Sequence, residues 1–348
     1  MTDRPLIHLI TEAGCVVKFR SEVPEDWDFV YKNLSYRGVM EADNSLFYQQ
    51  TYFQSKSWAD MSMVCYKKDG TPCSIISLHL HDINGLKGLS AAGLPIEPLQ
   101  FAANVSKTEK QRICRAVVRG LKQYHAYKNF PEFKCYAYCN GTSGTIDEWY
   151  KACIEVANSV SVGHRIFIDL EQDVYAIKAS FRKSYKSLIN KSKTLWTTRV
   201  LGQNEITKDE WKKFKYLHFE ASNRVQTRSD ESWQNQYLQI LQGSAFLITL
   251  HSRDNLLVGG GFFQYTQDEG MYSVAAYDRS LFDKPLGHLV QWIAINEFKR
   301  LGIKKYWIGD RPYLSDTPSP SQKEINIGYF KEGFSETVSP RFCFTFKT

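Results

Sequence analysis

The last third of the chain, residues 259–346, constrains the fold most, because its elements follow one another in a distinctive order. It reads as strand, strand, helix, strand, helix, strand. A strand of small residues, 273–276, leads through a turn into a helix that should begin at Gly287. Backbone amides at such a helix start suit an anionic group such as a diphosphate. This order indicates a mixed α/β fold with a place for an anionic ligand.

Length and composition place the chain among ordinary globular proteins. Its 348 residues are enough for two domains, and 43% hydrophobic with 23% charged residues argues against disorder. No apolar run approaches the roughly 20 residues that a membrane-spanning helix needs. The first residues include an early acidic side chain, which is unlike a signal peptide. We therefore expect a cytoplasmic protein that does not insert into membranes.

The formal net charge of +7 favours an anionic ligand without identifying it. Nucleic acid, a nucleotide, a phospholipid surface and coenzyme A all fit this charge. The eight cysteines are scattered, and Cys135 and Cys139 have no second Cys or His pair beside them. We expect buried reduced thiols and no metal site.

The second half of the chain alternates strand and helix signals that are clearly separated. A capping box formed by Thr207 and Glu210 begins one helix, and Gly243 and Gly302 follow the ends of two others. The predicted elements are strand 196–201, helices 207–221 and 230–241, strands 245–251, 256–265 and 271–277, helix 285–301, strand 305–308, helix 321–332 and strand 336–346.

The first half repeats this order more loosely, without recognisable sequence identity. Its predicted elements are strand 16–19, helices 27–34 and 46–53, strands 61–66, 74–80 and 89–93, helix 108–127, strand 134–138, helix 146–157 and strand 165–170. The sequence therefore predicts two domains built on one plan, residues 1–165 and 166–348.

This order of elements resembles the GNAT fold of the N-acetyltransferase superfamily, and two such units in tandem resemble the Fem-type peptidyl and acyl transferases. Three motifs carry the resemblance in the second half, beside a basic helix expected in Asp169–Lys193. They are Gly287 and Leu289 with Ala294 and Ile295, the strand Tyr306 to Gly309, and Phe330, Lys331 and Phe334. The first half resembles the family by element order alone.

The resemblance implies a transferase and leaves its donor open. Some family members take an amino acid from tRNA onto cell-wall precursors, whereas others are acyl-CoA-dependent N-acyltransferases of amino sugars. The chain lacks the long heptad-patterned helical insertion that some tRNA-dependent members carry. We therefore expect transfer from acyl-CoA to the primary amine of a nucleotide-linked amino sugar in bacterial surface-polysaccharide synthesis, such as O-antigen or capsule, with no nucleic acid partner.

Two alternatives remain at this point. One is an aminoacyl-tRNA-dependent Fem-type transferase that acts on a peptidoglycan precursor. The other is a non-catalytic module that binds a nucleotide sugar.

Residues for the acyl carrier follow from the resemblance. In GNAT-like enzymes the fourth strand splays from its neighbour, and one of its backbone N–H groups stabilises the oxyanion. Here that strand is 272–277, where Val274, Ala275 and Ala276 are small enough to lie against a pantetheine arm. Lys284 and Gly287 would meet the diphosphate. The structural alternatives are a small-residue core strand and an ordinary helix start.

Four residues are candidates for proton transfer, which amine attack on a thioester requires. Asp310 is the preferred base because it follows a strand end at the rim where α/β folds gather ligands. His288, in the first turn of a helix, and Glu220 are the next choices. Tyr329 is the expected proton donor to the departing thiolate. The structural interpretations are a loop cap for Asp310, an exposed histidine near a helix start for His288 and a core aromatic for Tyr329.

The amine substrate is expected to contact Arg224, Arg228, Tyr277 and Lys331. The two arginines flank a short polar loop and could hold a nucleotide diphosphate with their guanidinium groups. Lys331 belongs to the sharpest motif match. On the basic helix, Lys178, Arg182 and Lys186 recur at four-residue spacing, and a bound polyanion or solvent would relieve their repulsion.

Overall fold

The computed structural model describes residues 4–53, 58–140, 145–222 and 228–347, except the side chains of Cys139, Asn140 and Thr145. Its helices are α1 (Arg4–Glu12), α2 (Pro24–Lys32), α3 (Asp43–Phe53), α4 (Lys107–Tyr127), α5 (Glu148–Val156), α6 (Val174–Ser180), α7 (Lys183–Leu195), α8 (Lys208–Ser222), α9 (Asp230–Leu241), α10 (Gly287–Arg300) and α11 (Gln322–Glu332). Within these described ranges, no helix is long and apolar enough to cross a membrane.

Sixteen strands are distributed among these helices in the described part of the chain. They are β1 (Val17–Phe19), β2 (Trp58–Asp60), β3 (Met63–Tyr66), β4 (Pro72–Ile76), β5 (His79–Ile83), β6 (Leu86–Ser90), β7 (Gln100–Phe101), β8 (Glu132–Asn140), β9 (Thr145–Ile146), β10 (Ser159–Asp169), β11 (Thr197–Leu201), β12 (Ala245–His251), β13 (Leu257–Tyr265), β14 (Glu269–Tyr277), β15 (Lys305–Asp310) and β16 (Thr337–Lys347).

The chain forms two compact units. Unit 1 takes Met1–Tyr36, Gln49–Gly163 and Pro340–Thr348, and unit 2 takes Arg37–Tyr48 and His164–Ser339. The sequence predicted a single division after residue 165. The units additionally take one segment each from the other half of the chain, which a linear reading of the sequence does not predict.

Unit 1 contains short antiparallel sheets around a helical core. Strands β1, β3, β4 and β7 form one sheet, β2, β5 and β6 form another, and β8 pairs with residues 341–347 of β16. Helix α4 packs against α1, where a Cβ on Gly120 would lie 2.9 Å from the Cα of Ile10. The absence of a side chain at Gly120 therefore lets the two helix backbones approach closely.

Unit 2 contains one sheet with helices on both faces. Its strand order is β11-β12-β13-β14-β15-β10, antiparallel except for the β14–β15 pair. Side chains alternate along β12: Phe246, Ile248 and Leu250 join a core with α7 and α10, whereas Ala245 and Leu247 join a core with α8 and α9. Both faces of β12 are therefore buried.

The basic segment forms two helices, so the prediction of one continuous helix is wrong. Helix α6 ends before Phe181, whose ψ of 146° is extended, and α7 begins at Lys183. At the break between the two helices, the backbone N–H of Arg182 donates to the carbonyl oxygen of Gly333 at 2.9 Å. Lys178, Arg182 and Lys186 consequently do not form a regular stripe along one helix.

The predicted strand 89–93 lies three residues earlier in the structure, at Leu86–Ser90. Strand β6 ends at Ser90, and a turn follows in which Ala92 and Gly93 have φ angles of 50° and 92°. These left-handed conformations are incompatible with a continuing strand.

Most of the cysteine side chains that the structure describes are buried. Of the cysteines whose side chains are described, Cys343 is half-buried, the others are buried, and none forms a disulfide. Among the described residues, no group of three or more His, Cys, Asp or Glu side chains could hold a metal ion.

The segment Arg37–Tyr48 is anchored to the rest of unit 2 by two buried acids on the β13–β14 turn. Asp268 accepts hydrogen bonds from the backbone N–H and the guanidinium of Arg37 at 3.0 and 3.2 Å, and from Lys304 Nζ at 2.7 Å. Glu269 accepts from the backbone N–H of Val39 at 3.1 Å. Burial alone would raise the pKa of Asp268, but the bonds from Lys304 and Arg37 outweigh it and lower the pKa below its usual value.

We predict that Asp268→Asn destabilises the protein by about 1–3 kcal/mol at neutral pH, because charged hydrogen bonds to a buried acceptor are lost. A carboxyl with a lowered folded pKa stabilises the fold above its unfolded pKa, and this contribution disappears as pH falls through the folded pKa. Denaturant unfolding across the acidic range should show the two proteins converging. Asp209→Asn, which removes the exposed pair with Lys213, is the control and should cost under about 1 kcal/mol. Equal stability of the Asp268→Asn and native proteins at neutral pH would refute this anchor.

Candidate active site

Strands β14 and β15 pair over only three residue pairs and then separate. The register joins Glu269 to Lys305, Gly270 to Tyr306 and Met271 to Trp307. Beyond this point β14 pairs only with β13, as far as Tyr277, and β15 pairs only with β10, as far as Asp310. The facing edges 272–277 and 308–310 therefore have no ladder hydrogen bonds between them in the described structure. We call this opening the β14–β15 gap.

The side chain of Lys331 reaches from α11 into the β14–β15 gap. Its Nζ occupies the space that a Cβ would take at Gly309, on the β15 side. The same Nζ lies 5.6 Å from the centre of the Tyr272 ring, on the β14 side. Gly309 has a φ of 143°, which side chains rarely tolerate, so glycine is required there for the backbone and for Lys331.

The ammonium of Lys331 is unusual in its electrostatic surroundings. Burial lowers the pKa of Lys331, and the nearby charge of Asp310 raises it in part. Within the described chain, no carboxylate lies close enough to form a salt bridge with Lys331. The Lys331 side chain is half-buried. An ammonium that is partly removed from water and has no bound carboxylate is costly, and it is suited to an oxyanion that forms beside it.

Two tyrosines, Tyr272 and Tyr277, belong to the part of β14 that borders the gap. The hydroxyl oxygens of Tyr272 and Tyr277 lie 3.0 Å apart, and burial raises the pKa of Tyr272 to about 12. The pKa of Tyr277 is also raised by burial. The Tyr277 ring fills the space beside Gly259 on β13, 2.6 Å from where a Cβ would lie. Both phenols are therefore neutral hydrogen-bonding groups, and Tyr277, predicted to bind substrate, also has a packing role.

The three small residues of β14 do not share one environment. Ala276 is buried in the core with α8 and α9, and Val274 packs against that core. Ala275 points to the opposite face and is exposed. Val274 and Ala276 thus fit the interpretation of a small-residue core strand, whereas Ala275 leaves one backbone position open.

The start of α10 has no side-chain cap, as its N-cap residue is Leu286. A Cβ on Gly287 would lie 2.9 Å from the Phe330 ring and 3.4 Å from the Tyr277 hydroxyl oxygen. Packing against Phe330 is therefore sufficient reason for glycine at this position. Lys284 is exposed just before the helix, with its Nζ 6.0 Å from the Trp196 ring. Diphosphate binding by Lys284 and Gly287 stays a prediction.

His288 lies in an aromatic environment at the first turn of α10. Its ring centre is 4.6 Å from that of Tyr185 and 5.1 Å from that of Phe330. Burial lowers the pKa of His288 to about 4, so the imidazole is neutral at physiological pH. Its Nδ1 atom is buried and has no hydrogen-bond partner in the described chain.

The structure separates Tyr329 from Lys331. The two residues are two positions apart on α11, which is about 200° around a helix. Tyr329 is 54% exposed, and the Arg182 guanidinium covers its ring at 3.9 Å. Gly328, in contrast, shares the Lys331 face and packs against Pro312. Tyr329 as the acid of the thiolate step has no support from this placement.

Two of the remaining predicted residues, Glu220 and Arg228, lie on or near α8 and α9. Glu220 is exposed near the end of α8. The Arg228 guanidinium lies 3.7 Å from the Trp233 ring and donates to the Ser232 hydroxyl at 3.0 Å, so it fixes the start of α9. Arg224 lies outside the described residues.

The sequence reasoning missed Gly309 and Tyr272 as parts of this site. The glycine that directly follows strand residues and precedes Asp310 was a usable signal, since a glycine inside a strand often marks a close approach of another group. The contact with Lys331 joins positions 22 residues apart, which spacing along one helix or strand does not reveal.

We predict that Gly309→Ala destabilises the protein more than Gly302→Ala does. Both glycines have positive φ, so alanine should cost about 1–2 kcal/mol at Gly302 and at least as much at Gly309, whose φ of 143° is less tolerated. Only Gly309→Ala also displaces Lys331, because nothing lies within 4 Å of a Cβ at Gly302. Denaturant unfolding should show that part of the extra cost disappears when Lys331 is also replaced by alanine. An equal cost at both glycines would contradict this packing.

Comparison with known proteins gives a clear result for structure and none for sequence. No family model matches the chain. No curated protein sequence matches it either.

Solved structures match along almost the whole chain. FemX is similar with a TM-score of 0.67 at 12% identity, over 93% of this chain and 96% of that one. A tandem GNAT protein from the clavulanic acid biosynthesis pathway has a TM-score of 0.54 at 12% identity, over 95% and 98%. L-PGS from Bacillus licheniformis has a TM-score of 0.55 at 12% identity, over 93% and 91%. At this identity the likeness concerns the fold alone, and it confirms the fold predicted from the sequence, a tandem GNAT fold like that of FemX.

Proposed function

We propose that the chain is an acyltransferase that moves an acyl group from a coenzyme A thioester to the primary amine of a nucleotide-linked amino sugar, in bacterial surface-polysaccharide synthesis. The observation that carries this proposal is the β14–β15 gap with the Lys331 ammonium inside it. A strand edge without ladder partners beside a half-buried cation provides what acyl transfer needs at the developing oxyanion. The fold is compatible with this chemistry and does not identify it.

In this proposal, Lys331 donates to the thioester carbonyl oxygen as the amine nitrogen attacks the carbonyl carbon. A backbone N–H of residues 272–277 is the second donor. The carbon–nitrogen bond forms, the carbon–sulfur bond breaks, and the negative charge on oxygen collapses back to a carbonyl. The amine loses a proton and the departing thiolate gains one, so the overall step balances.

Asp310 is the proposed acceptor of the amine proton. It ends β15 directly after Gly309, on the same edge of the gap as the Lys331 ammonium. Its charge acts on Lys331 across the same opening, since it raises the pKa of Lys331. Glu220 and His288 are weaker candidates because one is exposed on α8 and the other is surrounded by aromatic rings.

The second candidate donor is aminoacyl-tRNA, with a peptidoglycan precursor as acceptor. Among the likenesses given above, the one to FemX has the higher TM-score, 0.67 against 0.54 for the tandem GNAT protein. The same gap and the same lysine would serve an ester carbonyl as well as a thioester. Retention on tRNA that falls steeply with salt, together with no affinity for coenzyme A, would favour this donor.

Incubation of the purified protein with acyl-CoAs and a panel of nucleotide-linked amino sugars tests the main proposal. The expected result is release of free thiol that depends on both substrates. Binding of a nucleotide sugar without turnover would instead identify a non-catalytic module. Absence of thiol release with every pair would overturn the acyl-CoA proposal.

We predict that Lys331→Met lowers kcat by about 10²–10³-fold, as expected for loss of one oxyanion donor, without loss of stability. Methionine fills much of the space of the Lys331 side chain and carries no charge. Because the folded pKa of Lys331 is lowered, the native protein gains stability as pH rises towards the unfolded value, whereas the variant does not. The stability advantage of the variant should therefore be largest at low pH.

Thiol-release kinetics and denaturant unfolding on the same samples provide this comparison. Lys323→Met is the matched control, since Lys323 is an exposed lysine on the same helix. Retained activity in Lys331→Met, with normal folding, would remove Lys331 from the mechanism.

We predict that Asp310→Asn lowers kcat by about 10²–10⁴-fold at neutral pH while leaving coenzyme A affinity intact, because a positioned base is lost. The deficit should shrink as pH rises, since more of the substrate amine is already neutral. A pH series of kcat with calorimetry for coenzyme A measures both effects. Asp283→Asn, on an exposed loop, is the control. Near-native turnover at neutral pH would mean that water takes the proton.

A further inference from the structure

A strip of alternating basic and aromatic side chains crosses the surface of unit 2. Lys178 Nζ lies 4.9 Å from the Trp292 ring, and Lys284 Nζ lies 6.0 Å from the Trp196 ring. Trp292 and Trp196 line one open groove of about 490 Å³, together with Lys193. The five residues thus form a continuous aromatic–basic strip, in the order Lys178, Trp292, Lys193, Trp196, Lys284.

Each end of the aromatic–basic strip has a protruding aromatic ring. Phe282, two residues before Lys284, is 65% exposed. Tyr175, one turn before Lys178 on α6, is 80% exposed. Large rings with such exposure are not part of a core, and here both are adjacent to lysines.

The charge of the strip is not neutralised by neighbouring acids. Lys178, Lys193 and Lys284 form no salt bridge within the part of the chain that the structure describes. The groove contains one acid, Glu297, which accepts two hydrogen bonds from Arg300, at 2.9 and 2.6 Å. Asp283 lies beside Lys284 on the same exposed loop. The surrounding segment 174–195 carries six lysine and arginine residues and no acid.

We propose that the aromatic–basic strip binds the surface of an anionic lipid bilayer. Trp, Tyr and Phe rings are favourable at the depth of lipid headgroups, and lysines beside them attract acidic phospholipids. Phe282 and Tyr175 would enter the headgroup layer, while Lys178, Lys193 and Lys284 would contact phosphates. The proposal is independent of the acyl-transfer chemistry.

Stacking of single-stranded nucleic acid on the same residues is the competing interpretation. Base stacking requires an open ring face. Trp292 and Trp196 each have a lysine near the ring and lie within a groove, whereas the fully open rings are the two at the ends. Rings that protrude singly, one at each end of the strip, fit insertion between headgroups better than a continuous stack of bases.

Co-sedimentation with phosphatidylcholine vesicles, with and without phosphatidylglycerol, tests the proposal. The full chain should bind only the vesicles that contain phosphatidylglycerol, and added salt should weaken binding. The triple variant Lys178→Gln, Lys193→Gln, Lys284→Gln should reduce the partition coefficient by about tenfold or more. Phe282→Ser should reduce it by a smaller factor without any change in charge.

The control is the triple variant Lys208→Gln, Lys212→Gln, Lys323→Gln, which removes the same charge from exposed positions elsewhere in unit 2. It should retain nearly full binding. Three results would overturn the proposal: no vesicle binding by the native chain at low salt, an equal loss in both triple variants, or tighter binding to single-stranded RNA than to vesicles through the same lysines. Circular dichroism of each variant confirms that it is folded.

Discussion

Strands β14 and β15 separate early within the sheet of unit 2. A sheet interior normally leaves no backbone group without a partner, and opening it after three residue pairs exposes two strand edges. The opening persists because each strand keeps its other neighbour, β13 for β14 and β10 for β15. The sheet therefore stays continuous around the gap while one place within it remains available to a ligand.

Lys331 places a positive charge in the gap, and the local packing holds its side chain in position. Its ammonium needs Gly309 without a side chain, and α11 can approach because Gly328 has none either. The aromatic residues around Tyr185 and Phe330 fix the end of α11, and the Tyr185 hydroxyl donates to the Phe330 carbonyl oxygen at 3.0 Å. A half-buried ammonium without a salt bridge lowers stability, so its presence beside the gap is consistent with the proposed role in the reaction.

The sequence predicted most elements of unit 2 and the motif that contains Lys331, because amphipathic periodicity and glycine boundaries are local signals. It did not predict the anchoring of residues 37–48 by Asp268, the break at Phe181, or the outward position of Tyr329. Each of these depends on a partner distant in sequence: Arg37 for Asp268, Gly333 for Arg182, and Arg182 for Tyr329. The splayed strand that the GNAT resemblance implies is present in the fold, whereas the contacts of single side chains had to come from the structure.

A crystal structure of the protein with bound coenzyme A would show whether the β14–β15 gap holds the thioester. We expect the pantetheine arm to lie along residues 272–277 and the sulfur to face Lys331 in the gap. The diphosphate should then lie at the start of α10, near Gly287. Coenzyme A bound in unit 1, or in unit 2 with its sulfur away from Lys331, would rule out acyl transfer in this gap.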